Sequence, residues 1–177
     1  IPQAKGTQDF VGLNYYSRDV VRFNLAKGGT LFTDRAFPKD AELSENDFLA
    51  NDPEGFKECI KWGEQFGLPI YITENGCEDS QDDFRRKYLL QHIHAMWHMV
   101  NFNAPIKGYF HWSLVDNFEW ERGWSQRFGL WGLDVETQLR VRRKSVDLYA
   151  EICRTNSITS EAVETWAPEV YDRIYPV

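Results

Sequence analysis

Three stretches of this sequence carry side chains whose types and spacing could do chemistry. The first is Pro69-Ile70-Tyr71-Ile72-Thr73-Glu74-Asn75-Gly76, a short apolar run that ends in a lone carboxylate and a glycine. Ile70, Tyr71 and Ile72 favour a strand and Gly76 stops it, so Glu74 is expected at the C-terminal tip of a buried strand. Sheets and barrels of the α/β class place their reactive groups at such tips. The second stretch is Asn14-Tyr15-Tyr16-Ser17, behind the apolar run Phe10 to Leu13. It supplies an amide and two phenols that can hydrogen-bond a ligand or a carboxylate. The third runs from Trp112 to Trp124 and packs three Trp, three acids and an Asn into 13 residues. A loop without a task is usually small and polar. The first two also have a bland reading, as a surface acid at an ordinary strand end and a capped turn with packed tyrosines. Together the three offer carboxylates, aromatic planes and amide donors, with no metal ligands and no glycine-rich phosphate cradle. Sugars suit such a site, because their C–H faces lie on Trp rings and their hydroxyls pair with carboxylates and amides. A carboxylate held near an anomeric carbon can act as a nucleophile.

The elements that must position these groups alternate between strand and helix. After the strand at Phe10–Leu13, residues 24 to 50 give no clear period and read as a long loop. Asn51-Asp52-Pro53-Glu54 reads as a helix start, with Phe56, Ile60 and Trp62 on the inner face and Gly67 at the end. The Glu74 strand follows. The acidic run Glu78 to Asp83 then caps a helix from Phe84 to Asn101, whose Tyr88, Leu89, Ile93, Met96, Trp97 and Val100 recur at helical spacing as core. His94 and His98 lack the intervening Glu of a zinc-binding helix, and the acidic run lacks EF-hand spacing, so no metal is expected. A third strand runs from Pro105 to Ser113. A hairpin over 129–143 turns at Glu136-Thr137, and a last helix spans 144–154. Strand, helix, strand, helix, strand implies parallel pairing. Residues 1–155 read as one unit, and 156–177 as a tail packing on it.

Bulk composition narrows the function further. At 42% hydrophobic and 27% charged, the 177 residues suit one domain with one core. A net charge of −7 argues against a nucleic-acid partner, since phosphates would be repelled. The basic cluster Arg140, Arg142, Arg143 and Lys144 reads as a solvated edge. Three separated cysteines without a CxxC fit a reducing compartment, and the cytoplasm is expected. No apolar run approaches the ~18 residues of a membrane span, so no membrane partner is expected. Residues 1–5 resemble neither a signal peptide nor a chain start, so the chain is expected to begin inside a longer protein.

The runs FVGLNYYS, YITENG and WSLVDNFEW…GW…RFGLWGLD resemble the last three strand-and-loop units of family 1 glycoside hydrolases, the β-glucosidase and β-galactosidase group. The likeness spans about residues 9 to 155. It implies an α/β fold, the C-terminal part (about strands 6–8) of a (β/α)₈ TIM barrel, with the site at the C-terminal face. It also implies roles. Glu74 would be the nucleophile and Tyr16 its hydrogen-bond donor. Trp112 would lie under the glycone, Glu119 and Trp120 would grip its hydroxyls, and Phe128 would line the pocket. Asn14 would serve the aglycone side or orient the tyrosines. No cofactor is implied. The phosphate-binding branch of the family usually has a small residue in place of Glu119, with a Lys and a Tyr where this chain has Gln126 and Phe128. An unphosphorylated glucoside or galactoside is therefore expected.

One departure is serious. The family's general acid/base is the Glu of an Asn-Glu-Pro motif, which is absent; Asn51-Asp52-Pro53 only looks similar and opens a helix. Three parallel strands cannot close a barrel, which typically needs ~250 residues. The expectation is a retaining β-glycosidase whose acid/base lies in an N-terminal part, that part being the chain's partner, with this chain inactive alone and oligomers possible. The rivals are a non-catalytic sugar-binding relative of the barrel and a thioglucosidase, which can dispense with the acid.

Overall fold

The computed structural model describes residue 3 and residues 6–176. The reading of residues 1–5 therefore lies, apart from residue 3, outside the described residues. The elements in chain order are β1 (Val11–Asn14), β2 (Val20–Phe23), β3 (Thr33–Ala36), α1 (Pro53–Glu64), β4 (Ile70–Asn75), α2 (Phe84–Asn101), β5 (Ile106–His111), β6 (Trp131–Leu133), β7 (Arg140–Arg142), α3 (Lys144–Thr155), α4 (Ser160–Trp166) and α5 (Tyr171–Ile174). β1, β4 and β5 form one sheet in that order, and both pairings are parallel. The helices α1 and α2 make the crossovers, as parallel strands require. The sheet is an open segment. Neither β1 nor β5 has a strand on its outer edge among the described residues.

Alternation along the strands divides the sheet into a covered and a bare face. Leu13, Ile70 and Ile72 point outward and are buried with Phe56 and Ile60 of α1 and Ala95 of α2. Full burial of each large side chain stabilises the fold by about 1.5–3 kcal/mol. The opposite face carries Phe10, Tyr71 and Phe110. Phe10 meets Tyr71 edge-on at 5.2 Å, while Phe110 is 58% exposed. Gly108 lets the Tyr71 ring lie flat on the sheet, since a Cβ there would sit 3.1 Å from the ring.

Asp52 starts α1. Its side chain accepts from the Gly55 amide, and Pro53 opens the first turn. It also accepts from the Tyr15 hydroxyl and pairs with Arg18 Nε at 2.7 Å, so the helix start holds the exit of β1. Gly55 is required there, because a Cβ would fall 2.3 Å from the Tyr15 hydroxyl. The acidic run after β4 caps as expected, through Asp79. Its carboxylate accepts from the amides of Gln81, Asp82 and Arg85. Asp82 accepts from the Ser145 amide in the first turn of α3. The guanidinium of Arg85, fully buried, bridges Asp82 to the carbonyls of Asp79 and Arg127.

Three expectations change. Residues 24–50 are not a bare loop: β2 and β3 form an antiparallel hairpin. All four residues of β2 are exposed, so no buried face marked it in the sequence. Trp62 is exposed, and Gly63 takes its place against Leu13 and Ile70. Trp97 and Val100 are exposed as well, along an open cleft of about 670 Å³ beside the free edge of β5. Helical spacing defines a face, but among the described residues nothing buries Trp97 and Val100 at its far end. Beyond α3, Val163, Ala167, Val170 and Ile174 share a core with Leu89, Ile93, Leu148 and Ile152.

Candidate active site

Parallel pairing brings the C-terminal ends of β1, β4 and β5 side by side. Glu74 lies opposite Asn14 in register, and its carbonyl accepts from the Tyr15 amide at 3.0 Å. The chain then turns so that the Tyr16 hydroxyl donates to Glu74 Oε2 at 2.6 Å, a charge-assisted distance. Burial first, then this bond and the negative charges of Glu74 and Glu119, push the Tyr16 phenol far above its ordinary range. It therefore remains a donor at any working pH.

Trp112 follows directly after β5. Its amide donates to the Asn75 carbonyl at 3.0 Å, and the Trp112–Ser113 peptide bond is cis. The Trp112 carbonyl sits so close to Gly76 that a Cβ there would lie 1.8 Å from it. Glycine at the end of ITENG is thus a steric requirement of the Trp112 backbone. The Ser113 amide donates to the Phe128 carbonyl, which fixes Phe128 beside the β5 exit. Phe128 is buried and meets the Tyr16 ring edge-on at 6.0 Å. Leu49, Cys77, Phe84, Tyr88 and Phe128 form the floor against which Tyr16 and Trp112 pack.

Glu119 is half-buried on the segment between Trp112 and Phe128, with its amide bonded to the Gly123 carbonyl. Burial, then the charges of Glu121 and Glu74, raise its carboxyl above the usual range, while hydrogen bonding with Trp112 works against the rise. Glu74, Tyr16, Trp112, Glu119 and Phe128 therefore share one electrostatic and packing neighbourhood. Trp120 and Asn14 have other surroundings for their side chains. Trp120 is 77% exposed and turned to solvent. Asn14 Oδ1 accepts from Thr73 Oγ1 at 2.6 Å. Tyr15 is held at its hydroxyl by Asp52 and at its carbonyl by Asn75. Asn75 Nδ2 donates to the Tyr15 carbonyl at 2.8 Å and to the Tyr88 hydroxyl at 3.0 Å. Among the described residues, no group of three or more His, Cys, Asp or Glu side chains could hold a metal ion. His94 and His98 lie against Trp97 and Phe102.

The sequence profile of glycosyl hydrolase family 1 matches residues 2–158. The chain belongs to glycosyl hydrolase family 1. Among its curated family relatives, the β-galactosidase of Pyrococcus woesei is 35% identical over 92% of this chain and 35% of its own length. The β-glucosidase A of Thermotoga maritima is 40% identical over 85% of this chain and 35% of its own length. The chain thus spans about a third of these relatives. The solved structure of a family 1 β-glucosidase from Thermotoga maritima superposes with a TM-score of 0.81 at 32% identity, over 89% of this chain and 37% of that one. The open three-stranded sheet is therefore part of the family's TIM barrel. No helix among the described residues is long and apolar enough to cross a membrane.

Proposed function

We propose that this chain carries the nucleophile and glycone-binding half of a retaining β-glycosidase acting on an unphosphorylated β-glucoside or β-galactoside. The observation that carries the reading is the 2.6 Å bond from the Tyr16 hydroxyl to Glu74 Oε2. It holds a carboxylate oxygen in the neighbourhood of Trp112, Glu119 and Phe128. Glu74 attacks the anomeric carbon and the bond to the leaving oxygen breaks, with a proton delivered to that oxygen by a second carboxylic acid. Water then displaces Glu74 from the glycosyl-enzyme, returning its proton to the second group. That group is the Glu of the barrel's remaining part, about 5–5.5 Å away, as retention of configuration requires. The chain alone, lacking this acid, does not turn over. Coverage of about a third of the relatives and the two free sheet edges support a complement in the same barrel.

Glu119 supports the unphosphorylated glycone. A carboxylate at the sugar-binding wall accepts from hydroxyls and repels a phosphate. The free cysteines Cys59, Cys77 and Cys153 support a reducing, cytoplasmic setting. The test is covalent labelling of the complete barrel with a 2-deoxy-2-fluoro-β-glucoside, followed by peptide mass spectrometry. The label is expected on Glu74, and Glu74→Ala is expected to abolish turnover while leaving sugar binding. Labelling elsewhere, or turnover by Glu74→Ala, overturns the assignment.

A further inference from the structure

Asn75 is wholly buried, and its polar side-chain atoms are all engaged. Nδ2 donates to the Tyr15 carbonyl of the β1 exit at 2.8 Å and to the Tyr88 hydroxyl of α2 at 3.0 Å. Oδ1 accepts from the Tyr109 hydroxyl of β5 at 2.8 Å. Its backbone carbonyl accepts from the Trp112 amide at 3.0 Å. Tyr88 passes the connection on, donating its own hydroxyl to the Tyr16 carbonyl at 2.7 Å. A single amide thus reaches the exits of β1 and β5 and the adjoining helix, one residue after Glu74.

A core position of this kind would ordinarily hold an aliphatic side chain. Burying an amide is unfavourable unless its donors and acceptor are matched, and here they are matched to backbone and phenol groups of the site itself. The Tyr15 and Tyr16 carbonyls lie on an irregular turn beyond the last ladder bond of β1, so strand pairing does not hold them. Asn75 and Tyr88 do. The position of the Tyr16 phenol follows from where that turn is held, and a shift of about 1 Å in a reacting group can cost ~10²-fold in rate.

We propose that Asn75, acting through Tyr88 and the Tyr15–Tyr16 backbone, is a positioning residue that sets the Tyr16 phenol against the Glu74 carboxylate. The inference rests on the reading of Glu74 as nucleophile. It predicts coupling, since removing the clamp matters only while Tyr16 has a hydroxyl to be placed.

The test is a double-mutant cycle in the complete barrel, with rates expressed per site titrated by the 2-fluoro-glucoside, so that loss of folded protein does not enter. Tyr88→Phe keeps the ring and removes the bridging hydroxyl. It is expected to lower kcat roughly tenfold with KM little changed. In a Tyr16→Phe background the same change is expected to cost less than about twofold, because the two act as one unit. Asn75→Ser, which shortens the clamp, is expected to show the same non-additivity. Equal losses in both backgrounds, or no loss for either variant, overturn the proposal. Glu74→Gln, whose sites cannot take the label and whose rate is therefore expressed per mole of folded protein, separates the two readings. If it still turns over, the nucleophile assignment fails; if it is inert while the cycle is additive, only the role of Asn75 fails.

Discussion

The Tyr16 hydroxyl and Glu74 Oε2 lie 2.6 Å apart although 58 positions separate the two residues in the chain. Parallel pairing of β1 with β4 makes the contact, since it brings two strand ends together that the intervening hairpin and helix keep far apart in sequence. Tyr16→Phe leaves the ring against Phe128 and removes only the donor. A hydrogen bond to a charged group contributes about 2 kcal/mol, so kcat/KM on an aryl β-glucoside should fall about 30-fold. Steady-state kinetics of the complete barrel checks this. An unchanged kcat/KM would mean that Glu74 needs no help from Tyr16.

Glu121 is exposed and adds negative charge beside Glu119, helping to hold the Glu119 carboxyl above its usual range. In its proposed role Glu119 accepts from sugar hydroxyls as a carboxylate, so KM is expected to rise as pH falls through its raised pKa. Glu121→Gln removes one cause of the elevation. The acid-side rise in KM should then move to lower pH, with kcat at neutral pH unaffected. KM profiles of the two proteins over the acidic range measure the displacement, and coincident profiles would exclude Glu119 as the titrating group.

Four residues beyond Glu74, the Glu78 carboxyl is buried beside Ser44. Burial, with the nearby charges of Glu45 and Asp79, pushes it up to about 7 from an ordinary 4.5, against the hydrogen bond from Ser44. The folded state holds this proton more tightly than the unfolded one. The stability it contributes is therefore complete below pH 4.5 and is lost as pH rises through 7. The span corresponds to about 3 kcal/mol. Glu78→Gln mimics the protonated form. Its stability relative to the parent should be near equal at pH 4.5 and about 3 kcal/mol greater at pH 8, as read from urea midpoints at both pH values. A difference independent of pH would count against the buried acid.

The strands β1, β4 and β5 were legible because each is a run of β-forming residues closed by a turn signal, and helices α1 and α2 because Asp52-Pro53 and the acidic run mark their starts. The hairpin of β2 and β3 was not, since no residue of β2 is buried and no apolar alternation sets it apart. Trp97 matched the helical period of α2 yet stands in solvent, because spacing says which residues share a face and not what covers it. Glu74, Tyr16, Trp112, Glu119 and Phe128 are neighbours in the structure, each on a stretch whose side-chain types stood out in the sequence. Asn75 and Tyr88 were harder. Their partners lie 13 to 72 positions away, and a tyrosine at helical spacing reads as core whether or not its hydroxyl has a second task.

The span of chain that Asn75 ties together bears on the order of assembly. Every group it bonds lies between Tyr15 and Trp112, and the strands they belong to are joined by single helical crossovers. The hydrogen bonds that Asn75 makes beside Glu74 can thus form inside one contiguous block, before any ring is shut. On the proposed function, closure would add the second acid to a carboxylate already held in place. A block with that property can be moved whole between barrels, and a chimera joined outside residues 11 to 128 is expected to inherit the Tyr16–Glu74 contact ready-made.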